Sequence, residues 1–215
     1  MKFEPLGDSA ITVLLGDGIS RQLSADVLSF ADALRSESID GVIEVVPAYA
    51  SVALYYDPLE ISYKDLMDHL RALRDRFRAS RPHADVSTAR TVRISVRYDG
   101  EDLTEVADRT GHTRDEVIAL HAQREYRVYV VGFVPGFAYL GELAPSLVLP
   151  RRPVPRKRVP AGAVAIAEAQ TGIYPFSTPG GWHLIGTTTQ KMFDPSAAEP
   201  ALLRVGDRVI FEPVG

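Results

Sequence analysis

Five cations stand close together in PRRPVPRKRVPAG, residues 150 to 162: Arg151, Arg152, Arg156, Lys157 and Arg158. The prolines hold this segment extended, which projects guanidinium groups outward instead of folding them into a helix. Such a strap could clamp a carboxylate or phosphate through paired N–H donors. The plainer reading is a solvated loop or an ion-pairing face for a partner. A little further on, QTGIYPFSTPGGWHLIG (170 to 186) holds the only Trp of the chain between a Gly pair and a His. Gly180 and Gly181 could take the positive φ that a tight turn needs, fixing Trp182 and His183 at a set angle. Side chains alternate along a strand, so Trp182 and Leu184 share one face and His183 and Ile185 the other. Trp182 is then either a packed core residue or the wall of a site.

Signatures that would name a reaction are missing. There is no G-x-x-x-x-G-K-[ST] phosphate loop, no G-x-S-x-G nucleophile elbow and no H-E-x-x-H metal pair. The five histidines, at positions 69, 83, 112, 121 and 183, have no ligand spacing, so no metal site is expected. The run GFVPGFAYLGEL (132 to 143) interleaves Gly132, Gly136 and Gly141 with Phe133, Phe137 and Tyr139, so backbone could approach a ligand beside aromatic faces. As a phosphate loop it is weak, because no Lys-Ser or Lys-Thr follows it.

The elements that must position these residues fall into two parts. Through residue 89 there are four Gly and four Pro, whereas residues 90 to 215 hold twelve Gly and eleven Pro. The first part, 1–80, alternates strand-like FEPL, AITVLLG, VIEVVPA and SVALYY with helices near 19 to 36 and 62 to 79. Their stripes Leu23, Val27, Phe30, Leu34 and Leu66, Leu70, Leu73, Phe77 have helical spacing. That order suggests a small α/β sandwich. Residues 81–90 suit a linker. The second part, 91–215, opens with TVRISVRY, closes with DRVIFEPV and places YRVYVVGF, GAVAIAEAQ and WHLIGTT between them. These are the short strands and long loops expected of a closed or nearly closed antiparallel β-barrel.

One helical insertion interrupts the barrel, DLTEVADRTGHTRDEVIALH at 102–121, with Thr113 and Glu116 spaced as a capping box. Nucleic-acid binding is disfavoured: Asp115 and Glu116 sit where a recognition helix would meet phosphates, and the formal net charge of the chain is -4. A corner of two helices plugging the barrel is the better reading. The chain contains no Cys, which removes disulfides and thiolate chemistry and fits a reducing compartment. No window approaches the roughly 18 apolar residues of a membrane span, and Glu4 and Asp8 interrupt any signal-like start. A cytoplasmic protein that meets no membrane is expected.

YRVYVVGFVPGFAYLGEL, PRRPVPRKRVPAGAVAIAEAQTGIYPFSTPGGWHLIG and FDPSAAEPALLRVGDRVIFEPV closely resemble the KipI-like family, also called allophanate hydrolase subunit 1. The resemblance extends to PLGDSAITVLLGDGIS and VIEVVPAYASVALYYDP, and so covers nearly the whole chain. It implies an α+β protein, with an N-terminal ferredoxin-like α/β sandwich followed by a C-terminal cyclophilin-like antiparallel β-barrel. The family includes the B-type subunit of bacterial ATP-dependent 5-oxoprolinase, which implies a polypeptide that helps to open a lactam at the expense of ATP and is inactive alone. The implied partners are a homologous C-type subunit, like allophanate hydrolase subunit 2, and, for hydrolysis to glutamate, an A-type subunit. ATP, with Mg as its counter-ion, would be bound mainly by the partner or by this chain, which itself lacks a nucleotide motif.

Carried onto this sequence, the resemblance points to His121, Arg158 and Gln170 as catalytic and to Tyr139, Arg156, Tyr174, Trp182 and His183 as substrate-binding. In these roles Arg156 and Arg158 meet an anionic group of a small substrate, His121 handles a proton, Gln170 bonds the amide, and Tyr174 with Trp182 walls the site. Where many relatives read AGSVGIAG, this chain has AGAVAIAE at 161 to 168, with Ala163, Ala165 and Glu168 departing in ways that bear on substrate identity. Two other functions are compatible with the resemblance: a component of an allophanate hydrolase or urea carboxylase, and a binding module that inhibits a sensor histidine kinase.

Overall fold

The structure is a computed structural model that describes residues 1–80 and 89–215. The chain divides into two compact units, Met1–Thr88 and Ala89–Gly215. The linker expected at 81–90 lies, apart from Ala89 and Arg90, outside the described residues.

In the first unit the chain runs β1 (Lys2–Pro5), β2 (Ala10–Leu14), α1 (Arg21–Ser36), β3 (Val42–Ala48), β4 (Ser51–Tyr56) and α2 (Tyr63–Ser80). The four strands form one antiparallel sheet in the order β1-β2-β4-β3. The order differs from the β-α-β-β-α-β arrangement of a ferredoxin-like sandwich only in that the closing strand comes first. Ser20 starts α1, its hydroxyl accepting the Leu23 N–H at 3.1 Å. The apolar stripes of both helices bury Val27, Phe30, Leu34, Leu66, Leu70 and Leu73 against Ile11, Val13, Val52 and Leu54.

The second unit contains β5 (Thr91–Val96), α3 (Leu103–Thr110), α4 (Arg114–Ala122), β6 (Glu125–Val131), β7 (Ala138–Gly141), β8 (Arg156–Val159), β9 (Ala163–Ala167), β10 (Gln170–Ile173), β11 (Thr178–Gly180), β12 (His183–Thr187) and β13 (Arg208–Pro213). Seven of these strands make a curled sheet in the order β12-β9-β10-β7-β6-β13-β5. All its pairs are antiparallel except β13 with β5, which run parallel over six residues from Arg208↔Thr91 to Pro213↔Val96. The two edge strands meet through a bridge in which Arg97 and Thr187 exchange N–H···O bonds of 2.9 and 2.8 Å. Gly186 permits that meeting, since a Cβ there would lie 2.7 Å from the Arg97 carbonyl oxygen.

Inside the curl, Tyr126, Val128, Leu140, Val164, Ile166, Ile185, Val209 and Phe211 form the core. The helices add Leu103, Val106 and Val117 to it. Thr113 and Glu116 make the expected capping box, each side chain bonding the other residue's backbone N–H, at 3.2 and 2.7 Å. The two helices are thus a corner packed on the barrel. Among the described residues no helix is long and apolar enough to cross a membrane.

Candidate functional site

The sheet has two buried faces, and strand β9 shows the division. Val164 and Ile166 point into the barrel, whereas Ala163, Ala165 and Ala167 point to the other side, into a cluster with Phe137, Val159, Tyr174, Trp182 and Leu184. Trp182 and Leu184 do share a face, and Ile185 lies on the opposite one, as strand alternation requires. Phe137 is the hub of the outer cluster. Its ring meets Tyr139, Tyr174 and Trp182 edge-on at centroid separations of 4.8, 5.2 and 5.6 Å, and exposed Phe133 meets it at 5.6 Å. Edge-on pairs of this kind contribute about 0.5–1.5 kcal/mol each beyond their burial. Alanines on β9 leave room for these rings.

Trp182 and Tyr174 are only 5% and 2% exposed, whereas Tyr139 is half-buried, so the phenol of Tyr139 reaches the surface of the layer. Burial pushes the ionisation of Tyr139 and Tyr174 up, and the nearby Arg151 charge acts in the opposite direction on both. For Tyr174 the Trp182 backbone N–H also bonds the hydroxyl. Gly180 and Gly181 do not adopt positive φ, contrary to the turn geometry expected of them. At Gly180, though not at Gly181, the missing side chain permits a close approach instead. A Cβ on Gly180 would overlap the Tyr174 hydroxyl, whereas one on Gly181 would make only ordinary van der Waals contact with Pro155 of the strap. Gln170 pairs with Ala167 and Gly141 and has the strand parity of Gly172, which lies opposite Tyr139. It therefore belongs to the outer face with Tyr139.

The strap crosses beside this layer. Its strand β8 pairs with β11, and Val159 enters the aromatic cluster. Arg152 and Arg156 do not project into solvent; both turn to Asp102, at the start of α3. Asp102 Oδ1 accepts from Arg152 Nη1 at 3.0 Å and Arg156 Nη2 at 2.6 Å, and Oδ2 accepts the Leu184 N–H at 2.7 Å. Arg152 also pairs with Glu105 at 2.7 Å and Arg156 with Glu101 at 2.6 Å. Arg158 is exposed and donates to Ser177 Oγ at 2.9 Å. Asp102 has no signal in the sequence beyond an acid before a helix. Its partners lie 50 and 54 residues away.

Both candidate histidines are fully buried. His183 is fully buried and its Nε2 donates to the Pro150 carbonyl at 2.9 Å, while Nδ1 lies without a hydrogen bond, 4.0 Å from Glu105. It ties down the start of the strap. His121 is fully buried in the barrel, on the opposite face of the sheet from Trp182, and stacks on Phe211 at 4.6 Å. Thr171 donates to the Ala165 carbonyl at 3.0 Å, so its oxygen accepts from His121 Nε2 at 2.9 Å, which leaves Nδ1 to accept from the Tyr98 hydroxyl at 2.7 Å. Burial lowers the His121 pKa from its ordinary 6.5 to about 3, so the ring is neutral and enclosed. His83 lies outside the described residues.

Residues 1–203 match the carboxyltransferase domain, subdomain C and D. The chain belongs to that family. Within the carboxyltransferase C and D family it is 40% identical to the B-type subunit of the 5-oxoprolinase of Bacillus subtilis, an alignment that covers 98% of this chain and 91% of that one. The crystal structure of TTHA0988 superposes with a TM-score of 0.84 at 45% identity over 96% of the chain, which spans only 40% of that longer polypeptide. The Kluyveromyces lactis urea amidolyase superposes with a TM-score of 0.77 at 18% identity over 99% of this chain and 15% of its own, a likeness of fold.

Proposed function

We propose that this chain is the B-type subunit of a heteromeric, ATP-dependent 5-oxoprolinase, working with a homologous C-type subunit and delivering its product to an A-type subunit. The observation that carries this reading is the outer aromatic layer with Gln170 and the cationic strap at its edge, in a chain 40% identical to the B-type subunit of a 5-oxoprolinase. A small lactam has an apolar ring, a planar amide and a carboxylate, and this surface offers a group for each. Tyr139, with Trp182 packed behind it, faces the ring, Gln170 can exchange hydrogen bonds with the amide, and the strap supplies positive charge.

ATP, when bound by the complex, would supply a phosphoryl group to the lactam oxygen. Water could then add to the activated carbon, the ring C–N bond break with the amine as leaving group, and the resulting acyl phosphate be hydrolysed to carboxylate and phosphate. This chain fits ATP poorly. It has no phosphate loop, and its described residues include no group of three or more His, Asp or Glu that could hold Mg. We therefore assign the nucleotide to the C-type partner. In the same reading Arg158, exposed on the strap, serves charge developing during ring opening, and His121 keeps the barrel wall in register from behind without touching substrate.

The test is reconstitution with co-expressed C- and A-type subunits, measuring ATP hydrolysis that depends on 5-oxoproline, beside urea and acetamide as competing amides. Arg158→Ala and Gln170→Ala should each lower the 5-oxoproline rate by about 100-fold, the typical loss when a transition-state hydrogen bond is removed. Turnover of urea but not 5-oxoproline would assign the chain to the urea-type branch, and no turnover with any partner would refute the reading.

A further inference from the structure

The strap carries five cations, but the structure uses them differently. Arg152 and Arg156 are held by Asp102, Glu101 and Glu105, and Arg158 by Ser177. Lys157 and Arg151 are both exposed and make no hydrogen bond or ion pair among the described residues, and of the two it is Arg151 whose charge acts on the phenols of the outer layer. Its backbone is nevertheless fixed on both sides. The Pro150 carbonyl before it accepts from the buried His183, and the Arg152 N–H after it donates to the Gly181 carbonyl at 2.8 Å. The next side chain, Arg152, is anchored to Asp102 and Glu105. Arg151 lies close enough to the phenols of Tyr139 and Tyr174 for its charge to act on both. A surface arginine that only solubilises the chain needs neither anchor. A backbone fixed on both sides, carrying a guanidinium beside two phenols and an aromatic layer, limits where those donors can reach and lowers the cost of ordering them on an anion.

We propose that Arg151 is the anion-recognising residue of this site, binding the substrate carboxylate through its guanidinium fork, with His183 and Asp102 as the positioning residues that hold it there. The proposal rests on the 5-oxoprolinase reading for the identity of the carboxylate, and it takes the role expected of Arg156. One guanidinium beside neutral phenols suits a singly charged carboxylate better than a nucleotide phosphate, which is met by several donors at once.

The experiment measures binding of 5-oxoproline and of 2-pyrrolidinone, the same lactam without its carboxylate, to the full chain co-purified with its C-type partner. Inorganic phosphate is titrated in a third arm. Arg151→Ala should weaken 5-oxoproline by about 10- to 100-fold, the worth of a charged hydrogen-bonded pair, bring it level with 2-pyrrolidinone, and leave 2-pyrrolidinone unchanged. Arg151→Lys should recover only part, because an ammonium keeps the charge and loses the fork. Equal losses for both lactams, or no loss for 5-oxoproline, would overturn the proposal while leaving the 5-oxoprolinase reading standing. If the wild-type protein binds neither lactam, that reading falls, and the phosphate arm decides. Phosphate binding that disappears in Arg151→Ala sustains an oxyanion site there, and binding unchanged by the substitution refutes it.

Discussion

Acidification from about pH 7 to about pH 4.5 should destabilise the second unit by roughly 2–3 kcal/mol through His121 alone. The ring is neutral in the fold because burial lowers its pKa from 6.5 to about 3. A folded value below the unfolded one means that the unfolded chain binds more protons between the two. The contribution is therefore intact above about pH 6.5 and is lost as pH falls towards about 3. Trp182 gives a direct readout, since it is the only Trp and is buried in this unit. Urea unfolding followed by its fluorescence at a series of pH values would yield the stability of this unit for the wild type and for His121→Asn.

The variant loses the bonds to Tyr98 and Thr171 at every pH but cannot take up the proton. The stability gap between the two proteins should therefore narrow by roughly 2–3 kcal/mol between the two pH values, other titrating groups cancelling in the difference. A gap constant to within about 0.5 kcal/mol, the usual tolerance of such additivity, would show that His121 does not sit neutral and enclosed.

Glu168 stands at φ +51° in the turn joining β9 and β10, and it is exposed. Glu168→Gly should remove about 1–2 kcal/mol of left-handed strain against about 0.4–1 kcal/mol of added unfolded-chain entropy. The urea midpoint should rise, and a fall would refute the strain argument. Gly180→Ala should cost about 1–3 kcal/mol by driving a methyl into the Tyr174 hydroxyl. Adding Tyr174→Phe should recover part of that loss in the double variant, whereas simple additivity of the two losses would show that the hydroxyl is not the obstacle.

Helical stripes and strand alternation were legible because each rests on neighbours close in sequence. Leu23 through Leu34, the Thr113–Glu116 box and the split of Trp182 from His183 all follow from periods of 3.6 or 2. What could not be read depends on residues far apart. Nothing local in PRRPVPRKRVPAG distinguishes Arg156, which folds back onto Asp102, from Arg151, which stays free, because the distinction is made by a carboxylate near residue 100. The same holds for His121, whose enclosure depends on Phe211 and Thr171. β7 was hidden inside a glycine-rich run that read as a ligand loop, and Gly141 is needed there because a Cβ would strike the Tyr129 ring. The parallel pairing of β5 with β13 joins opposite ends of the unit, beyond the reach of any window.

Strand β9 is hemmed in on both sides, and its outward residues are all alanine. Those three methyl groups set the height at which the indole and phenol rings rest. Lineages of this fold can therefore resize the floor in steps of a single carbon, Ala165 to glycine lowering it and Ala163 to serine adding a polar point, while the barrel behind stays as it is. Selectivity among small amides would then drift through the least conspicuous side chains of the site, leaving its charged and aromatic groups untouched.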